Sequence, residues 1–266
     1  MNKEFLHNLN LRVNNIAFNI CFVVWTLVYG VLALPLVLLL PHKLLIEVRK
    51  PWISFVLFLL KLFFNISFEV QCSHNIKGLD RFIVASKHHS PLDVLLIANM
   101  FTKPAFILKK SLIYIPIFGL YMIATKMITV DFSKKVSGLF RLRKIVKQSK
   151  KLAKCGRTIV IYPEGSRVKV GQKVGYQSGV FAVYKELGLP VIPIALNAGS
   201  VWPLGYFDDK KPGKVVIKIL EPIKAGMDKR TFLAKLEQEI ETNSNLILQN
   251  QDKFSCGVKG KNVAIE

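Results

Sequence analysis

Short apolar runs alternate along most of the chain with longer stretches in which apolar residues recur at helical spacing. The apolar runs predict strands over 82–86, 105–108, 127–131, 158–162, 191–196 and 215–220. The stretches between them predict helices over 92–100, 136–154 and 179–187, and Asp228 should begin a last helix that ends near Leu248. Such alternation is typical of a largely parallel central sheet flanked by helices, so the pattern predicts an α/β fold.

The N-terminal part of the chain has a different pattern. Residues 16–40 carry no charge and exceed the roughly 20 residues that cross a bilayer. The run is too long for a removed signal peptide and lacks a small-residue cleavage pattern. A second apolar run, 52–68, is interrupted by Lys61 and suits an interfacial or re-entrant helix. Three arrangements follow: one span plus a surface helix, a helical pair in one leaflet, or a buried helix of a soluble core.

These patterns divide the 266 residues into three parts. We predict membrane-associated helices over 1–70, one α/β domain over 71–249 and a polar tail over 250–266. The four cysteines are widely spaced and match no metal or disulfide framework, which predicts a reducing compartment.

The charge is strongly positive, with 38 basic against 17 acidic residues and a net charge of +21. Residues 133–157 contain many basic residues, no acidic residue, and apolar residues at helical recurrence. A basic amphipathic helix beside a membrane anchor predicts contact with an anionic membrane. The same face could instead bind an acidic carrier protein, bind the phosphates of coenzyme A, or simply be solvated. No nucleic-acid motif accompanies the charge, so nucleic acid is not the expected partner.

The first candidate site is a loop that follows the predicted strand at 82–86. His88 is followed five positions later by Asp93, and Ser90-Pro91 has the composition of a helix start. Asp93 would then lie in the first turn, where its carboxylate can orient the imidazole as a general base. The alternative is that Asp93 only caps the helix. His89 competes for the role of base but lacks this spacing.

The second candidate site, 162–167, follows the predicted strand at 158–162. It combines Glu164, Gly165, Ser166 and Arg167 in a turn suited to gripping an anionic substrate, although an ordinary turn has the same composition.

Together these blocks resemble the 1-acylglycerol-3-phosphate acyltransferases, a family of glycerolipid acyltransferases. The first family block, His-x4-Asp, is matched by His88 and Asp93. The second is matched from Lys109 through Phe118-Gly119 to Asp131. The third, Phe-Pro-Glu-Gly-Thr/Ser-Arg, is matched by 162–167, and the fourth, an apolar run around proline, by 189–194. All four occur in order over roughly residues 70 to 225.

The resemblance implies transfer of an acyl group from acyl-CoA or acyl-carrier protein to lysophosphatidate at the cytoplasmic face of a membrane. His88 and Asp93 would be catalytic, and no cofactor or metal is implied. The acceptor would be bound by Lys109 and Arg167, supported by the amides of Gly165 and Ser166. Glu164 would fix Arg167 or bind glycerol oxygens. Amides near Ser90 would stabilise the developing oxyanion.

The chain departs from the family pattern at one position. Phe132 stands where the family usually has an arginine that helps bind the acceptor's phosphate. Lys126, Lys134 and Lys135 are the candidates to compensate for it. The departure leaves two alternatives open: a related acyltransferase with another acceptor, such as glycerol-3-phosphate, another lysophospholipid or a lyso-aminolipid, or a non-catalytic basic membrane-binding protein.

Overall fold

A computed structural model describes residues 3–115, 117–132 and 136–250. Eight helices run over α1 (Lys3–Leu39), α2 (His42–Leu45), α3 (Arg49–Phe64), α4 (Pro91–Met100), α5 (Phe118–Ala124), α6 (Gly138–Lys154), α7 (Ser178–Leu187) and α8 (Lys229–Gln249). Seven strands run over β1 (Ser67–Gln71), β2 (Ile83–Ser86), β3 (Pro104–Lys109), β4 (Ile128–Val130), β5 (Thr158–Ile161), β6 (Val191–Leu196) and β7 (Lys214–Ile219).

The strands form one sheet in the order β1-β7-β6-β2-β5-β3-β4. Every neighbouring pair is parallel except β6 and β7. One apolar core lies between the sheet and α1, α3 and α4, and a second lies on the other face beneath α6, α7 and α8. The prediction of an α/β fold with a largely parallel sheet and an N-terminal apolar helical segment is therefore confirmed.

Three elements differ from the sequence-based prediction. The first is α2, a helix of four residues between the two predicted apolar helices. Strand β1 was not expected, because it is a half-buried edge strand with no continuous apolar run. It also crosses the predicted domain boundary at residue 70. Helix α5 was not expected either, since its seven residues are too few to establish a helical period. The polar tail beyond Asn250 lies outside the described residues.

The long helix α1 packs along α3 but leaves its outer face exposed. Within it, Glu4–Val37 is long and apolar enough to cross a membrane, and only 11% of its most apolar window is buried. A core helix of a soluble domain would be mostly buried, so the exposed apolar face indicates membrane association.

Polar anchors attach these helices to the α/β domain. The side chain of Asn15 exchanges hydrogen bonds with the backbone of Lys210, and Phe18 packs edge-on against Trp202 at 5.6 Å. The buried guanidinium of Arg49 donates to the carbonyls of Ala98 and Phe101 at the end of α4. The helices and the sheet therefore share one core.

One residue of the basic stretch is structural. Arg157 is buried, and its guanidinium donates to the carbonyls of Thr125 and Pro104. The exposed charge of the stretch lies instead on α6, where Arg141 is half-buried and the exposed basic residues are Arg143, Lys144, Lys147, Lys150, Lys151 and Lys154.

Candidate active site

The two candidate loops leave adjacent parallel strands at the same edge of the sheet. Ala85 on β2 pairs with Ile161 on β5, so the loop after each strand begins beside the other. Ligands of open α/β sheets bind at this carboxyl edge. A backbone hydrogen bond ties the loops together, because the amide of Val168 donates to the carbonyl of His88 at 2.9 Å.

His88 and Asp93 are in contact, as their spacing predicts. Nδ1 of His88 lies 3.2 Å from Oδ2 of Asp93. An ionised carboxylate can only accept hydrogen bonds, so this contact requires the proton on Nδ1. The other ring nitrogen, Nε2, then carries the lone pair that can take a proton from a substrate.

Asp93 also caps α4, so the same carboxylate contacts His88 and stabilises the start of the helix. The amides of His89 and Ser90 donate to Oδ2 at 2.6 and 2.8 Å, and Ser90 Oγ accepts from Leu92 at 3.0 Å. Ser90 and Asp93 form a capping box. These three amides already have acceptors, which differs from the predicted role of amides near Ser90 as oxyanion donors.

The geometry favours His88 over His89 as the candidate base. The side chain of His89 points into the protein, is 2% exposed, and lies against Gly199, where any larger residue would meet the imidazole. Burial lowers the pKa of His89 to about 4, so the ring is neutral at physiological pH.

An aromatic ring supports the imidazole of His88. The ring of Tyr162 stacks on it with centroids 3.9 Å apart and an interplanar angle of 18°. Tyr162 is buried, and no hydrogen-bond partner of its hydroxyl is found among the described residues. This contact was not predicted, although Tyr162 opens the third motif and follows β5 directly.

Glu164 contacts the loop after β2, which carries His88, rather than Arg167 or an open binding site. Oε2 of Glu164 accepts the backbone N–H of His88 at 2.8 Å, and Oε1 forms an ion pair with Lys87 at 2.5 Å. The side chain is almost fully buried. Its contacts therefore differ from the predicted roles of fixing Arg167 or binding glycerol oxygens.

The rest of the second loop is more open. Gly165 has φ +77°, a conformation that favours glycine, and its amide donates to the carbonyl of Tyr162 at 3.0 Å. That amide already has an acceptor, whereas the sequence analysis predicted that it would help to bind the acceptor substrate. Ser166 is exposed. The guanidinium of Arg167 donates to the carbonyl of Leu204 and lies over the ring of Tyr206, 4.9 Å from its centroid.

Lys109 and Phe132 lie towards the β4 side of the same edge. Lys109 is exposed at the end of β3, two strands from β2 and hence about 10 Å across the sheet. Phe132 is half exposed after β4, and the guanidinium carbon of Arg141 lies 5.8 Å from its ring centroid. Lys134 and Lys135 lie outside the described residues. Arg141 therefore places a positive charge beside the position where the family has arginine.

No group of three or more His, Cys, Asp or Glu side chains that could hold a metal is found within the described ranges. The ionisable side chains that meet at the site are those of Lys87, His88, Asp93 and Glu164.

Comparisons with known proteins agree with the motifs. The model of the Acyltransferase family matches residues 67–197. A 1-acyl-sn-glycerol-3-phosphate acyltransferase from Pseudomonas aeruginosa is 31% identical over 194 residues, which cover 73% of this chain and 74% of that protein. The chain belongs to the 1-acyl-sn-glycerol-3-phosphate acyltransferase family. The predicted resemblance is confirmed, and the protein is an acyltransferase.

Two further members of the family widen the comparison. A chloroplast enzyme of the same name from Brassica napus is 29% identical, and the match covers 77% of this chain but 60% of that protein. The crystal structure of the 1-acyl-sn-glycerophosphate acyltransferase from Thermotoga maritima aligns with a TM-score of 0.68 at 21% identity, covering 94% of this chain and 99% of the other. The likeness to that structure supports the fold over most of the chain.

Proposed function

We propose that the protein transfers a fatty acyl group from an acyl thioester to the free hydroxyl of lysophosphatidate, which yields phosphatidate for phospholipid biosynthesis. The observation that carries this proposal is the contact between His88 and Asp93 at the carboxyl edge of the sheet. It gives an acyltransferase of this family a general base with a fixed tautomer.

The reaction needs only proton transfer and charge stabilisation from the protein. Nε2 of His88 takes the hydroxyl proton while the hydroxyl oxygen bonds to the thioester carbon. Asp93 stabilises the imidazolium that forms. The carbon–sulfur bond then breaks, and the thiolate leaves with the proton held by His88. A thiol is a good leaving group, so no covalent intermediate on the protein is required.

The acceptor's phosphate would be bound by residues at two positions along the carboxyl edge of the sheet. Arg167 keeps free N–H directions beyond its bond to Leu204, and its planar fork suits a phosphate. Lys109 supplies a point charge from β3, and the exposed Ser166 lies directly before Arg167. The acyl donor would be acyl-CoA or acyl-carrier protein.

The enzyme would work at the cytoplasmic face of an anionic membrane. Exposed apolar side chains lie on α1, on α5, which packs against α1, and at the start of α6; beyond α1 they include Phe118, Leu120, Ile123, Leu139 and Phe140. The basic residues of α6 follow this apolar surface along the chain. Apolar insertion combined with positive charge is the pattern of a membrane-surface helix.

A second acceptor class is favoured by one observation. Phe132 replaces the arginine that the family pattern places after Asp131. The guanidinium of Arg141 beside Phe132 supports lysophosphatidate if it takes over that function. If it does not, another lysophospholipid, glycerol-3-phosphate or a lyso-aminolipid is the acceptor.

Thiol release from a long-chain acyl thioester tests the proposal. Purified protein in liposomes should release thiol with lysophosphatidate, more slowly with glycerol-3-phosphate or neutral lysolipids, and not when His88→Ala replaces the base. Activity in His88→Ala equal to that of the unmodified protein would contradict the mechanism. Turnover with a different acceptor alone would select the second class.

Vesicle flotation tests the membrane surface separately. Charge reversal by Arg143→Glu and Lys147→Glu on α6 should weaken binding to vesicles that contain anionic lipid, and more so at low salt. The same charge change at Lys229 and Lys235 on α8 is the matched control. Equal losses for both pairs would show that net charge alone, not α6, determines binding.

A further inference from the structure

A buried lysine lies directly before His88 and contacts two carboxylates from distant parts of the chain. Lys87 is 2% exposed. Its Nζ lies 2.5 Å from Oε1 of Glu164, in the loop after β5, and 2.6 Å from Oε1 of Glu241, on α8. A buried ammonium is costly unless it is paired, so this arrangement fixes all three side chains.

The cluster reaches the catalytic residue through Glu164. One carboxylate oxygen, Oε1, faces Lys87, while the other, Oε2, accepts the backbone N–H of His88 at 2.8 Å. An ionised carboxylate accepts strongly through both oxygens, whereas a protonated carboxyl turns one oxygen into a donor. The ionised form of Glu164 therefore holds the main chain of His88 in place.

We infer that Lys87 and Glu241 are positioning residues that control the ionisation of Glu164 and, through it, the placement of His88. Helix α8, which no motif of the family includes, thereby becomes part of the catalytic apparatus. This inference rests on the proposed role of His88 as the base.

The two residues act on Glu164 in opposite directions. Burial raises the pKa of Glu164 to about 7, the positive charge of Lys87 and the bond from His88 lower it, and the negative charge of Glu241 raises it. Removing the lysine charge should therefore protonate Glu164 at neutral pH. Removing the charge of Glu241 should keep Glu164 ionised at lower pH.

Other titratable groups near the cluster include Tyr176, His89, Asp93 and Glu237. Tyr176 donates to Oε1 of Glu241 at 3.0 Å, and its pKa is raised far above the physiological range by burial. His89 is neutral at physiological pH, and Asp93 faces His88 on the side opposite the ring nitrogen that takes the proton. Glu237, one turn before Glu241, adds a further negative charge on α8.

Two measurements on the full-length protein test the inference. The first is the infrared band of a protonated buried carboxyl as pH is lowered, assigned to Glu164 by its loss in Glu164→Gln. The second is the pH dependence of kcat for acyl transfer. Each is made on the unmodified protein, Lys87→Met, Lys87→Arg and Glu241→Gln. Thermal unfolding and circular dichroism identify any variant that does not fold.

We expect Lys87→Met to lower kcat at pH 7 by about 10- to 100-fold, the scale of a small misplacement of a catalytic group. In Lys87→Met, the acid limb of the kcat profile, where kcat falls as pH decreases, should move to higher pH. The infrared band of the protonated carboxyl should also appear at higher pH. Lys87→Arg should restore part of the loss. Glu241→Gln should move both features to lower pH. If Lys87→Met does not fold, the opposite displacement in Glu241→Gln remains the test.

The decisive control is Glu164→Gln, which keeps an amide oxygen for His88 but cannot titrate. In this background, Lys87→Met should no longer displace the acid limb. An undiminished displacement there would mean that Lys87 acts on His88 directly, and displacements of the same sign in Lys87→Met and Glu241→Gln would overturn the inference. The infrared titration requires no turnover, so it tests the cluster even if the protein fails to acylate lysophosphatidate.

Discussion

The two loops at the carboxyl edge of the sheet differ in what their polar groups contact. In the loop after β2, Asp93 receives three contacts from its own loop, and Lys87 is enclosed by carboxylates. In the loop after β5, Tyr162 and Glu164 are buried, while Ser166 and Arg167 stay accessible. The polar groups of the first loop are therefore paired, partly within the loop and partly with Glu164 and Glu241 from other elements. The second loop has a buried part that contacts the loop of His88 and an accessible part that contains Ser166 and Arg167.

The largest effect should come from the internal pairing of the first loop. Asp93→Asn removes the charge that stabilises the imidazolium. It also allows the N–H groups of the new amide to face the backbone N–H groups of His89 and Ser90, which are themselves donors. We expect kcat to fall by about 10²- to 10⁴-fold, measured by thiol release at saturating substrates.

Ser90→Ala separates this role from helix capping. It removes the side-chain acceptor of Leu92 but no charge, so it should cost about 1 kcal/mol of unfolding free energy and only a small part of kcat. If Ser90→Ala and Asp93→Asn reduced kcat equally, capping alone would explain Asp93, and the distinction between a fixed and an open loop would fail.

The next effect concerns the open part of the second loop. Arg167→Ala removes charge-assisted hydrogen bonds worth about 1.5–3 kcal/mol, so the KM for the acceptor should rise by about 10- to 100-fold. The KM for the acyl thioester should change little. Tyr206→Leu is the matched control, because it removes the ring beneath Arg167 and keeps the guanidinium. A change confined to the thioester would reassign Arg167 to the donor.

Much of this arrangement followed from the sequence. Runs of Ile and Val located six of the seven strands, and the spacing of Ser90, Pro91 and Asp93 correctly placed the start of α4. These features are local, because turn chemistry and short-range periodicity determine them.

The features that sequence reasoning missed depend on tertiary contacts. Glu241 lies on the partly exposed side of an ordinary amphipathic helix, and nothing near it in the sequence indicates a partner 154 residues away. Lys87 could have been noticed, since a charged residue directly after a buried strand requires a partner. The inward direction of Glu164 has the same origin, because only the assembled fold brings Lys87 beneath it.

A smaller effect should come from the ring that links the two loops. Tyr162→Leu removes the stack on His88, and we expect kcat to fall by about 10-fold because the imidazole gains freedom. Tyr162→Phe keeps the ring and removes only a hydroxyl with no partner among the described residues, so its kcat should stay close to that of the unmodified protein. An equal loss in both variants would show that the hydroxyl takes part in the chemistry.

The smallest effect should distinguish the two acceptor classes. The guanidinium of Arg141 lies over the ring of Phe132. Arg141 also lines a cavity of about 180 Å³ together with Lys110 and Lys144. Arg141→Ala should raise the KM for lysophosphatidate a few-fold, since it removes one partly exposed charge near the proposed phosphate site. Phe132→Arg, which restores the family residue, should offset that loss when combined with it. Arg143→Ala, an equal charge change further along α6, is the control. If Phe132→Arg lowers activity with lysophosphatidate instead, the aromatic ring itself contributes to acceptor choice, and the second acceptor class is favoured.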